Sequence, residues 1–154
     1  MALCNPTELP GLLPLNTRLL GLDLGTKTIG LALSDSTLIV ATPHSTLKRQ
    51  KFTEDATALL AIIDGENVGG LVLGMPINMD GSEGPRCQST RQFAANLMEK
   101  RDLPIALWDE RLSTAAVTRT LLEADTTRKR RSEVVDKMAA AYILQGLLDR
   151  LKSG

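Results

Sequence analysis

The sequence predicts an α/β fold: a mixed five-stranded sheet, three antiparallel strands followed by parallel ones, flanked by helices. Three observations carry that reading. Residues 19–35, LLGLDLGTKTIGLALSD, are two short apolar runs around a tight polar turn, the pattern of a hairpin. LVLGMP (71–76) and LPIALWDER (103–111) begin as continuous apolar runs, as buried parallel strands do. Segments of helical periodicity separate these runs, and strand–helix–strand units build parallel pairs.

Taken in order, MALCNPTELPGLLPLNT (1–17) holds three prolines and no basic start. It is expected to be a flexible tail ahead of a single domain over 18–152. In the hairpin, Leu20, Leu22 and Leu24 share one face of the first strand, and Gly21, Asp23 and Gly25 the other. Ile29, Leu31 and Leu33 oppose Gly30, Ala32 and Ser34 in the same way on the second. TLIVATP (37–43) suggests a third strand ended by Pro43. Thr53, ahead of Glu54 and Asp55, suits a helix start, and Ala56, Leu59, Leu60 and Ile63 follow at helical spacing until ENVGG. After LVLGMP comes the turn-rich loop PINMDGSEGP. Pro85 to Lys100 then reads as a helix with Thr90, Phe93, Ala94, Leu97 and Met98 on its apolar side. Beyond the last strand, Ser113 can cap a helix to about Ala124, DTTRKRR reads as a loop, and Ser132 opens a final helix. Val134, Met138, Ala141, Leu144, Leu148 and Leu151 form the stripe of that helix.

A chain of 154 residues, 43% hydrophobic, can build one proper core. No run approaches the ~20 apolar residues of a membrane helix. Cys4 and Cys87 are far apart and suggest neither a disulfide framework nor a metal knuckle, so a reducing, cytoplasmic setting is expected. Lys and Arg number 18 and so do Asp and Glu, so the whole chain is no polycation. Basic residues are nevertheless concentrated in KRQK (48–51), in RKRR (128–131) and around Arg86, Arg91, Lys100 and Arg101. Each patch alone is also what a solvated surface looks like. Aromatic residues make up 3%, too few to stack bases along a single strand, so a nucleic-acid partner would be read by backbone and shape.

The acids are the chemical signal. Asp23 alone could cap its hairpin, Asp109 and Glu110 could mark where a strand meets water, and Asp136 suits the first turns of a helix through its dipole. Together they place one carboxylate on the sheet, one at a neighbouring strand end and one on a helix able to pack across both. With His44 alone and no paired cysteines, that is a hard, oxygen-donor site for Mg²⁺ or Mn²⁺ rather than zinc. Two such ions can activate a water and stabilise the leaving oxygen of a phosphodiester. Gly21 and Gly25 beside Asp23 are expected to leave room for metal and phosphate. Asp80-Gly81-Ser82 lies past the carboxyl end of a parallel strand, where ligands favour binding, and offers amides to a phosphate. Cys87 reads as a small core residue of its helix.

GLDLGTKTIGLALSD, LVLGMPINMDGSEGP, WDERLST and VVDKMAAAYILQGLLD, in that order, resemble the four signature blocks of the YqgF family, from about Arg18 to Arg150. Its members are ribonuclease-H-like proteins described as pre-16S ribosomal RNA nucleases and, earlier, as Holliday junction resolvases. The resemblance implies a ribonuclease-H-like nuclease domain with its catalytic and metal-holding acids at Asp23, Glu110 and Asp136, and Asp109 in support. It implies substrate-side roles for Asn78, Asp80, Gly81, Arg111 and Lys137, to which the residue reading adds Lys27 and the basic run Arg128, Lys129, Arg130 and Arg131. The implied activity is metal-dependent hydrolysis at the 5′ end of precursor 16S rRNA, on structured RNA or a pre-ribosomal particle, by a monomer or weak dimer.

Three other readings compete. A resolvase acting on branched DNA needs two copies of the site and hence a twofold dimer, for which the sequence offers no obvious seam. An ATPase of the actin and sugar-kinase type shares a DxGT turn but needs a second lobe and a second phosphate turn. A non-catalytic ribosome-assembly factor would use the basic patches alone and has no need of three intact acids.

Overall fold

The computed structural model describes residues 3–25, 27–78, 80–110 and 128–153, the last segment as backbone alone over 128–136 and at 153. Its elements are a 3-10 turn (Pro6–Glu8), α1 (Leu9–Leu12), β1 (Arg18–Leu24), β2 (Thr28–Ser34), β3 (Ala41–Lys48), α2 (Phe52–Gly65), β4 (Val68–Met75), α3 (Pro85–Lys100), β5 (Ile105–Asp109) and α4 (Arg128–Ser153). The helix expected over 113–124 lies outside the described residues.

The sheet has five strands in the order β3-β2-β1-β4-β5. β1, β2 and β3 are antiparallel neighbours, while β4 runs parallel to β1 and β5 parallel to β4. The predicted mixed sheet is therefore present. Its alternation is also as expected, with Leu20, Leu22, Ile29, Leu31, Leu71, Leu73 and Ile105 packing under α2 and α3 against Leu59, Ile63, Phe93 and Leu97. Leu19, Ala32, Val72, Ala106 and Trp108 form the opposite face beneath Ala140, Ile143, Leu144, Leu147 and Leu148 of α4.

Several local expectations need correction. The third strand begins four residues later than predicted, because Asp35 organises residues 35–40 as a turn. Its carboxylate accepts from the Ile39 and Val40 amides at 2.8 and 3.0 Å and from the Thr37 hydroxyl. The Thr37 hydroxyl first, then the Val40 amide, hold that carboxyl well below its usual range. Pro43 does not end β3 but sits inside it, opposite Ala32 at a register shift on the edge of the sheet. There its missing N–H costs no ladder bond.

Residues 4–13 do not form a loose tail. The Cys4 amide donates to the Ile105 carbonyl at 3.0 Å, bridging onto β5, and Leu9 is fully buried under the α4 face. Burial of Leu9 outweighs the disorder expected from the prolines, and Pro6 starts the 3-10 turn.

The run RKRR forms the start of α4 rather than a loop before it. The buried stripe of α4 is also broader than predicted. Ile143 and Leu147 are fully buried and Met138 only partly, because the helix packs on Leu19, Val72 and Trp108 as well as on the alanines and so buries more than one row of side chains. Gln145 fixes its position: the side chain accepts from the Ala41 amide at 2.8 Å and donates to the Ile39 carbonyl at 3.0 Å. α2 starts one residue before Thr53, with Asp55 reaching back to accept from the Gln50 amide at 2.9 Å.

Candidate active site

β1 is the middle strand, and Asp23 lies one residue from its end, 3% exposed and paired opposite Gly30 of β2. A carboxylate there is held by backbone on both sides and by its burial. β1 and β4 pair through Gly21 with Val72 and Leu22 with Leu73, the last pair of the ladder, and Asp23 and Gly74 each follow it by one residue. Adjacent strands are about 4.8 Å apart.

Gly74 is the residue that joins the site. A Cβ at this position would lie 2.8 Å from Glu110 Oε1, 3.1 Å from Glu110 Cγ and 2.5 Å from Ile143 Cδ1. The Glu110 side chain, issuing from the end of β5, thus folds back across β4 and occupies the space that glycine leaves open. It does so on the α4 side of the sheet, the side Asp23 faces. Two carboxylates separated by 87 positions in sequence thus come over neighbouring strands on one face.

Sequence reasoning missed Gly74. Its signal was an unexplained glycine inside the apolar strand LVLGMP, where a close approach is a standing reason for glycine. It also misplaced the purpose of two others. A Cβ on Gly21 would lie 2.9 Å from Leu144 Cβ and 3.2 Å from the Ala140 carbonyl oxygen, and one on Gly25 3.0 Å from the Thr28 carbonyl oxygen. Gly21 admits α4, and Gly25 closes the hairpin turn.

Asp136 belongs to α4 by its backbone, and its side chain lies outside the described residues, as do those of Arg128, Lys129, Arg130 and Arg131 and the whole of Arg111. Lys27 is exposed in the hairpin turn, where its carbonyl accepts from the Arg49 amide at 2.9 Å. Lys137, next to Asp136, is partly buried.

Asn78, Asp80 and Gly81 build the loop after β4. The Asn78 amide nitrogens donate to the Ser82 carbonyl at 2.9 Å and the Ser82 hydroxyl at 3.0 Å, and Asp80 accepts from the Ser82 amide and hydroxyl at 2.9 and 2.6 Å. Gly81 takes a φ of 92°, which favours glycine. The loop is pinned to α3 by Arg91, whose two-pronged contact with Glu83 at 3.0 and 2.9 Å holds that carboxyl below its usual range.

The donor set suits a hard divalent cation. Among the described residues no three ligating side chains cluster, and the pair contributed by Asp23 and Glu110 is all oxygen. His44 lies elsewhere, 3.9 Å from Glu66 and 2.8 Å from the Ser45 hydroxyl, near the start of β1 where Arg18 meets Glu66. Cys87 is fully buried in α3, as expected. Oxygen donors without sulfur or imidazole fit Mg²⁺ or Mn²⁺.

A mixed sheet of this order and direction, flanked by helices, is a ribonuclease-H-like fold. The fold is shared by Thermus thermophilus RuvC bound to a Holliday junction substrate, at a TM-score of 0.55 and 11% identity over 90% of this chain and 98% of that one. The chain belongs to the RuvX family, described as Holliday junction resolvase, which it matches over residues 17–150. This is the family named YqgF above. Relatives in Paramagnetospirillum magneticum and Ruegeria sp., both named "Putative pre-16S rRNA nuclease", are 69% and 63% identical over 97% and 91% of this chain and 96% and 89% of their own lengths. No helix among the described residues is long and apolar enough to cross a membrane.

Proposed function

We propose that the chain is a metal-dependent nuclease that hydrolyses phosphodiester bonds of precursor 16S rRNA, in maturation of its 5′ end, in the bacterial cytoplasm. Asp23, Glu110 and Asp136 are its catalytic acids and would hold Mg²⁺ or Mn²⁺. When bound, the cation supplies an acidified water and charge stabilisation at the leaving oxygen. The chain's own part is preorganisation. Asp23 is fixed in the middle strand, Gly74 lets the Glu110 carboxylate lie beside it, and the Asp109 position supports the strand end.

The observation that carries this reading is the seating of Glu110 on Gly74, next to Asp23. The path of α4 supports the third acid. Ala140 and Leu144 lie over Gly21, and Gln145 reaches the opposite end of the sheet at Ala41. Position 136 precedes Ala140 by one helical turn, about 6 Å of rise, in the direction in which β1 advances about 6.6 Å from Gly21 to Asp23. Names of close relatives supply the RNA substrate. Lys27, the loop Asn78–Gly81, Arg111, Lys137 and the run Arg128–Arg131 are proposed to face the substrate, in a monomer or weak dimer working on structured RNA or a pre-ribosomal particle.

Asp23→Asn is expected to lower Mg²⁺-dependent cleavage of precursor rRNA by more than about 100-fold, beyond what loss of a mere ligand-supporting group costs, while RNA affinity is retained. The assay is run beside junction DNA. Equal cleavage by variant and wild type refutes the assignment, and cleavage of the junction alone replaces RNA by branched DNA as the substrate.

A further inference from the structure

At the tip of β1, just past Asp23, two arginines from separate elements meet. Arg49 follows β3 and donates through Nη1 to the Gly25 carbonyl at 2.7 Å, while Arg86, in the first turn of α3, donates through Nη2 to the Leu24 carbonyl at 3.2 Å. Together with Ser89 and Thr90 they line a cleft of about 90 Å³ on the α2–α3 side of the sheet end.

Other arginines among the described residues are ion-paired. Arg91 pairs with Glu83, Arg101 with Asp64 and Arg18 with Glu66, whereas among the described residues neither Arg49 nor Arg86 ion-pairs with a carboxylate. A guanidinium has five N–H donors, and each of these is anchored through one nitrogen to backbone. The Arg49 guanidinium is further steadied 5.9 Å from the centre of the Phe93 ring. Anchoring of this kind fixes the remaining donors in direction, as recognition of a tetrahedral anion requires. The start of α3 adds its positive dipole end. Drug-sized ligand sites run to about 300–1,000 Å³, so the cleft suits a phosphate group and excludes a whole nucleotide.

We infer that Arg49 and Arg86 form a phosphate subsite that takes a backbone phosphate of the nucleic-acid strand a short way from the bond to be cut. The inference rests on the nuclease reading for its strand and adds where that strand runs. The carbonyls that anchor the arginines belong to Leu24 and Gly25, one and two residues beyond Asp23, about 3–7 Å along the chain. A strand whose scissile phosphate meets the acids on the α4 side therefore bends over the hairpin tip and sets a neighbouring phosphate between the two guanidiniums. Phosphate contacts of this kind fix register and carry no sequence information, in line with the shortage of aromatic platforms.

The test uses inorganic phosphate and a short single-stranded RNA. In the full-length protein, phosphate is expected to shift the amide resonances of Gly25, Lys27, Arg49 and Arg86 to Thr90. Arg86→Gln, an exposed position, is expected to lose those shifts and to flatten the dependence of log affinity for RNA on log salt by about 0.7, one phosphate contact on a single strand. Unchanged shifts and slope in this variant overturn the subsite. Arg49 also buttresses Phe93, so Arg49→Lys is the safer second variant. It keeps the charge, loses the fork and is expected to bind phosphate severalfold more weakly; unchanged binding removes Arg49 from the site. The two ideas fail separately. An unaltered Arg86→Gln with cleavage still lost in Asp23→Asn discards the cleft alone, and phosphate shifts in a wild type that cuts nothing discard the nuclease alone.

Discussion

The two faces of the sheet are built from different residues. Beneath α2 and α3 lie leucines and isoleucines, with Phe52 and Phe93 in an edge-to-face contact 5.4 Å between centres. Beneath α4 the same strands present Gly21, Asp23, Gly74, Ala32, Ala106 and Ser34 beside Leu19, Val72 and Trp108. Each strand contributes to both, since successive side chains alternate. The first face is a hydrophobic core in the ordinary sense. The second lets α4 come close at Gly21 and Gly74, on the strands that carry Asp23 and lie under a folded-back Glu110. A side chain at Gly21 would press on α4 at Ala140 and Leu144, and one at Gly74 on Ile143. Both faces bury apolar side chains, and the proposed chemistry lies on the second.

Substitutions on the two sides should separate these roles, beginning with the largest loss of stability. Leu22 is fully buried on the α2–α3 face. Leu22→Ala is expected to cost about 2–5 kcal/mol by the removed surface and the cavity left behind, read as a lower midpoint in urea, with cleavage per folded molecule unchanged. A cost below that range would mean that this face is not the main core. Gly21→Ala, its chain neighbour on the opposite side, adds one methyl instead. It would press on Leu144 and on the Ala140 carbonyl, a backbone atom unable to swing away. Such overpacking costs about 1–3 kcal/mol. Because α4 is displaced with it, cleavage should fall even where the protein is fully folded. Intact activity in folded Gly21→Ala would show that the seating of α4 is irrelevant to the acids.

How much of this was legible beforehand follows from the range over which each signal acts. The hairpin, β4, β5 and α3 were readable because alternation, continuous apolar runs and a proline start are local patterns. The shift of β3 was not, since it depends on Asp35 gathering two amides and a hydroxyl into a turn, and Ile39 and Val40 still look like strand residues. The burial of Leu9 depends on a contact with α4, far away in sequence. In the candidate site, Asp23 and Glu110 stood out by their place on strands, and a family resemblance pointed to the same positions. Their supports could not. Gly74 is a glycine among apolar residues until Glu110 is laid over it, and Arg49 and Arg86 belong to two unrelated basic clusters until both reach the carbonyls of residues 24 and 25.

The sharpest division of the two roles is expected at Gly74, where the loss of stability is smallest. A methyl at this position meets the far end of the Ile143 side chain and the Glu110 carboxylate, both of which can rotate away. Gly74→Ala is therefore expected to change stability by no more than about 1 kcal/mol, the added strand preference of alanine offsetting part of the crowding. The rotation that relieves the crowding moves the Glu110 carboxylate out of its place beside Asp23, and displacement of a reacting group by about 1 Å can cost about 100-fold in rate. Thermal unfolding and cleavage of precursor rRNA, measured on the same preparation, give the two quantities side by side. Cleavage at the wild-type rate in a protein of wild-type stability would mean that the position of the Glu110 carboxylate over β4 has no part in the reaction, and the acid would then have to be sought elsewhere on the α4 face.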